Sequence, residues 1–150
     1  MSSETFRRVA AQQHALHEDI GRLHAWSVAN PEASGGYWLD NSMAERGTGL
    51  VQMVLGVVRG TDVVLPENIA HREQLRVMKV ANSEVRLRRV ADAIRGWGLP
   101  GVSGVGAHIT SNRVRLYLAA ADEPTERRLT ESFGADTLDI QPGIVIEQAC

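Results

Sequence analysis

The stretch GWGLPGVSGVG (96–106) holds five of the fourteen glycines, and its first six letters spell Gly-x-Gly-x-x-Gly, the spacing of a dinucleotide-binding loop. In such a loop a strand precedes the glycines and a helix follows them, so that free amides and the helix dipole face the pyrophosphate. Here the order is reversed: the helical pattern ending at Arg95 comes first and strand-like residues follow. There is no Gly-Lys-Ser/Thr for a phosphate loop, and Val105 stands where a Gly-x-Ser-x-Gly elbow needs its last glycine. The loop therefore reads as structural, with Gly96 and Gly98 ending a helix and the remainder letting a twisted strand begin.

Other side chains capable of chemistry are scattered. His14, His17 and His24 share a helix face with Glu18 nearby. His14 and His24, however, stand about 15 Å apart at 1.5 Å per residue, too far for one ion without ligands from elsewhere. His71, His108, Ser103, Asp40 and Asp139 include every member of a hydrolytic triad, but no local motif ties them together. Arg86, Arg88, Arg89, Arg95, Arg113 and Arg115, with Tyr117 among them, invite a nucleic-acid reading. Glu84, Asp92, Glu123, Glu126 and Glu131 dilute that field, so nucleic acid is disfavoured. Trp26, Trp38 and Trp97 read as core anchors. The expectation is a protein without a catalytic centre, bound metal or cofactor.

Composition sets outer bounds. With 150 residues, net charge −2, 43% hydrophobic and 23% charged residues, the chain reads as a soluble globular protein. No apolar run reaches the roughly 18 residues of a membrane span. The start lacks the apolar segment of a signal peptide, and Cys150 is the sole cysteine. Those features point to the cytoplasm, or to the outside if the chain is a piece of a secreted precursor.

The elements that position these residues follow from periodicity. Phe6, Val9, Leu16, Ile20 and Leu23 lie on one stripe and predict a helix over residues 4–27, ended by NPEASGG. YWLDN (37–41) and LVQMVLGVV (50–58) read as strands, the second turning Val51, Met53, Leu55 and Val57 to one face. Pro66 is expected to open a helix at 67–75, followed by the strand RVMKV (76–80). A helix capped by Asn82 or Ser83 runs to about Arg95 on Leu87, Val90, Ala91 and Ile94. Strands at 102–110 and 112–120, a helix capped by Asp122 with Pro124 in its first turn, and a strand at 136–141 complete the chain. Strand–strand–helix–strand thus occurs twice, as an internal repeat in an α+β fold with small, mostly antiparallel sheets. The segments are 1–34, 35–81, a linking helix in 82–100, and 101–150.

With those elements placed, GGYWLD (35–40) resembles the strand opening in prodomains of secreted bacterial serine proteases of the α-lytic-protease and streptogrisin type. Residues 101–140 are similar to their second module, through Gly104-Val105, the turn at Ser111-Asn112, the strand Val114 to Leu118, and Phe133-Gly134. The likeness spans about residues 30–141, and His108 stands where that family often has Asp. It implies a non-catalytic folding catalyst and inhibitor whose second sheet and tail bind a partner, here a serine protease. Carried over by position, the partner residues are Asn112, Arg113, Arg115, Leu116 and Tyr117 on an edge strand, with Gln141, Ile144 and Ile146 in the tail. The competing expectations are self-association through that edge, and a small-molecule or metal-binding sensor or enzyme with a pocket between the two units, near His71 and His108.

Overall fold

The computed structural model describes residues 2–143, which fall into two units divided between Val80 and Ala81. The fold is α+β. No helix among the described residues is long and apolar enough to cross a membrane.

In the first unit the N-terminal helical pattern forms two helices instead of one, α1 (Ser3–Ala15) and α2 (His17–Ala29). The chain bends between them at Leu16, where ψ is 0°. The two halves answer to different anchors. Arg8 donates to the Ala44 carbonyl, and the Gln12 side chain accepts from the Val51 amide, both holding α1 to the segment 41–51. Asp19 holds α2 to residues 70 and 71. The apolar stripe survives the bend, since Val9, Leu16 and Leu23 are buried against Met53, Leu55 and Val57, while Phe6 is 64% exposed.

Strands β1 (Ser34–Asp40), β2 (Gln52–Val58) and β3 (Leu75–Val80) form one sheet in that order, β1–β2 antiparallel and β2–β3 parallel. A four-residue helix, α3 (Ser42–Glu45), lies in the connection. The register slips between Ser34 and Tyr37, where a Cβ on Gly56 would come within 3.2 Å of the Gly35 backbone. Any side chain there requires the facing backbone to yield by a few tenths of an ångström, a shift that glycine avoids. The helix expected at 67–75 is absent. One 3-10 turn, Arg72–Gln74, stands in its place, because this segment spends its polar groups on tertiary partners. The Ala70 and His71 amides go to Asp19, and the Gln74 side chain donates to the Val51 carbonyl.

In the second unit α4 (Glu84–Gly96) begins at Ser83, whose Oγ accepts from the Arg86 amide. Strands β4 (Val102–His108), β5 (Arg113–Leu118) and β6 (Leu138–Pro142) form a second sheet, with α5 (Glu123–Phe133) between β5 and β6 in sequence. Its order is β4-β5-β6, antiparallel then parallel, so each sheet is mixed rather than mostly antiparallel. Leu87, Val90, Ala91 and Ile94 of α4 and Leu129 of α5 bury Val114, Leu116, Leu118 and Leu138 on one sheet face. Trp97 lies 5.2 Å from Phe133, and the Arg128 guanidinium sits 4.4 Å from the Trp97 ring centroid. Gly98 and Gly101 take positive φ, so the glycine-rich stretch is a helix exit followed by a strand entry.

Asn112 closes the β4–β5 turn at φ +57°, the one non-glycine residue with positive φ among the described residues. Its Oδ1 accepts from the Asn82 amide at 2.8 Å and its Nδ2 donates to the Asn82 carbonyl at 2.7 Å, both buried. Asn112→Ala strands both backbone groups and is expected to lower unfolding free energy by about 2–3 kcal/mol in urea denaturation. Asn112→Gly suits the backbone angle and is expected to recover only about 1 kcal/mol of that loss. Full recovery would mean that strain, not hydrogen bonding, governs the site.

Candidate interaction surface

Alternation along β5 turns Val114, Leu116 and Leu118 into the core and leaves Arg113, Arg115 and Tyr117 half-buried on the face opposite the one that α4 and α5 bury. Register then builds rows across that face: Gly104, Tyr117 and Gln141; Gly106, Arg115 and Asp139. Arg115 Nε donates to Asp139 Oδ2 at 3.0 Å. That bond, with a second to the Tyr117 side chain, raises the guanidinium pKa further. Arg113 Nη1 donates to the Ala135 and Leu138 carbonyls. His108 Nδ1 meets Ser111 Oγ at 2.7 Å.

Three expectations for this surface are corrected. Strand β5 is the centre of its sheet, paired with β4 on one side and β6 on the other, so its backbone cannot take an added strand. Leu116 is 0% exposed and packs in the core, which withdraws it from any partner surface. Asn112 is 8% exposed and spends its amide on Asn82. The outward side chains of Arg113, Arg115, Tyr117 and Gln141 remain accessible, whereas Ile144 and Ile146 lie outside the described residues.

Among the described residues the open borders belong to β4 and β6. Just before β6 the Thr137 carbonyl accepts from the Val114 amide and faces β5, while the Thr137 amide donates to the Gly134 carbonyl, so along β6 the backbone polar groups of Asp139 face β5. Because successive residues alternate, those of Leu138 and Ile140 point to the free side.

The ionisable residues considered for catalysis do not form a triad. Asp40 accepts from the Ser42 hydroxyl and amide, which hold its carboxyl below the usual range, and Arg76 lies 3.4 Å away. Ser103 Oγ donates to the Tyr117 carbonyl and Asp139 pairs with Arg115. His24 meets the Tyr37 hydroxyl at 2.7 Å, and His14 and His17 are exposed. No three His, Cys, Asp or Glu residues converge to hold a metal among the described residues.

One charged residue in the first unit escaped the sequence reading. Asp19 is 1% exposed and accepts from the Ala70 amide, the His71 amide, His71 Nδ1 and Arg22 Nη1, at 2.8–3.1 Å. It borders a groove of about 330 Å³ shared with His14, His17, Glu18 and His71. A carboxylate can only accept, so His71 Nδ1 carries the hydrogen of that bond. The signal was present in the sequence: Asp19 lies among Leu16, Ile20 and Leu23 on the apolar stripe, where a carboxylate needs partners.

Burial pushes the Asp19 carboxyl up, but the hydrogen bonds from Ala70, His71 and Arg22 outweigh it and set the net value below the ordinary one. The resulting stabilisation is whole above the unfolded value of about 3.9 and is lost as pH falls through the lowered folded value. In a Trp97→Phe background, fluorescence of Trp26 and Trp38 reports the first unit. Its urea midpoint is expected to fall between about pH 5 and pH 2, with a flatter profile in Asp19→Asn. Parallel profiles would exclude Asp19 as the source. No family model matches the chain, and no curated protein matches it.

Proposed function

We propose that the chain is a non-catalytic protein-interaction module, chaperone-like or inhibitor-like, that takes up an extended segment of a partner protein at an open border of its second sheet. The observation that carries this reading is β6, which among the described residues pairs with β5 alone and turns the backbone groups of Ile140 outward. A strand laid alongside satisfies such groups, and the side chains flanking them select the partner. The likeness of residues 101–140 to the second module of serine-protease prodomains supplies the partner class, and Gln141 is the penultimate residue of β6. A second reading, a ligand-binding sensor or enzyme, draws on the Asp19–His71 pair beside its groove.

Hydrolysis of a chromogenic peptide by an α-lytic-protease-type enzyme tests the first reading. The full chain is expected to inhibit it, and a chain ended at Gly143 to do so at least tenfold more weakly, about 1.4 kcal/mol. No inhibition at tens of micromolar would overturn the prodomain-like role. Under the second reading, a metal or metabolite at a hundred times its Kd adds about 2.7 kcal/mol of stability, and His71→Ala abolishes the thermal shift.

A further inference from the structure

We infer that the β6 border is a docking track for a short, extended, basic protein segment whose apolar side chain seats on Ile140 beside α5. This rests on the interaction reading above and names the border and the partner chemistry.

Of the two borders, β4 is partly taken. Arg95 Nη2 donates to the Val105 carbonyl at 2.7 Å, so a strand added there has to compete with it. On β6, Arg113 takes the Leu138 carbonyl, which leaves the amide and carbonyl of Ile140 as the donor–acceptor pair facing outward. Beside them lies a groove of about 370 Å³ lined by Glu123, Glu126, Arg127, Thr130, Glu131 and the half-buried Ile140. The wall supplied by α5 spans about 12 Å from Glu123 to Glu131 at 1.5 Å per residue. Four residues of extended chain cover about the same length. A strand added about 4.8 Å beyond β6 therefore directs its inward side chains along Ile140 and the flank of α5.

Charge selects the occupant. The wall carries three carboxylates against one guanidinium, and Arg127 is paired with Glu123 at 2.9 Å. Glu126 and Glu131 have no ion pair among the described residues. Lysine or arginine flanking the seated apolar residue meets these carboxylates, and an acidic segment is repelled. A second copy fits poorly, because its own β6 reads Leu-Asp-Ile-Gln-Pro and offers no lysine or arginine to the α5 carboxylates.

The probe is a Lys-Val-Lys-Val-Lys peptide titrated into ¹⁵N-labelled full chain, with Glu-Val-Glu-Val-Glu as its counterpart. The basic peptide is expected to shift the amide resonances of Ile140, Gln141 and Thr130, and to weaken at least tenfold between 50 and 500 mM salt. The acidic peptide is expected to leave them in place. Glu126→Lys with Glu131→Lys reverses the preference. Glu126→Gln with Glu131→Gln, a milder change, removes the salt dependence if the first pair fails to fold. Absence of shifts, equal response to both peptides, or shifts confined to β4 overturns the proposal. So does a concentration-dependent change at Ile140 without peptide, which assigns the border to a second copy. Failure here with protease inhibition intact removes the β6 assignment alone, whereas loss of inhibition removes the interaction reading itself.

Discussion

A buried exchange of hydrogen bonds between Asn82 and Asn112 sets the geometry of the second unit. An asparagine side chain offers the same donor and acceptor as a peptide group, so Asn112 pairs with the Asn82 backbone as a strand residue would. The Asn82 side chain then reaches the Asn112 and Asp136 carbonyls and accepts from Thr137. The start of α4, the β4–β5 turn and the entry to β6 thus meet at one point. With its turn fixed on one side and the β6 entry on the other, β5 is held as the middle strand. The outward rows of Arg113, Arg115 and Tyr117 inherit their places from that arrangement.

The first unit solves a similar problem with a charge. Residues 59–74 connect two neighbouring strands without an α-helix, and their turn is fastened by the carboxylate of Asp19. A neutral amide clasp holds through acid, but a carboxylate clasp weakens once protonated. The two units, alike in strand order and pairing sense, therefore differ in how their stability responds to pH.

Much of the fold was legible because burial leaves a period in the sequence. Val51, Met53, Leu55 and Val57 share one core, and Val114, Leu116 and Leu118 another, as their alternation required. Ser83 and Asp122 cap the helices that their side chains announced. Periodicity names the buried face of a strand but not its neighbours, which is why Leu116 was placed at an edge while β5 lies between two strands. The helix expected at 67–75 failed for a related reason, since its amides are claimed by Asp19, roughly fifty residues away in sequence. The surface was legible in its outward side chains and illegible in its borders.

The border of β6 is also brief. Proline has no amide hydrogen, so the run of outward donors stops at Ile140, two residues before Pro142, and Gly143 turns away at φ +79°. A margin this abbreviated cannot template the long, regular stacking by which exposed sheets propagate into fibrils. At this border the sheet leaves room for one short partner strand and little else.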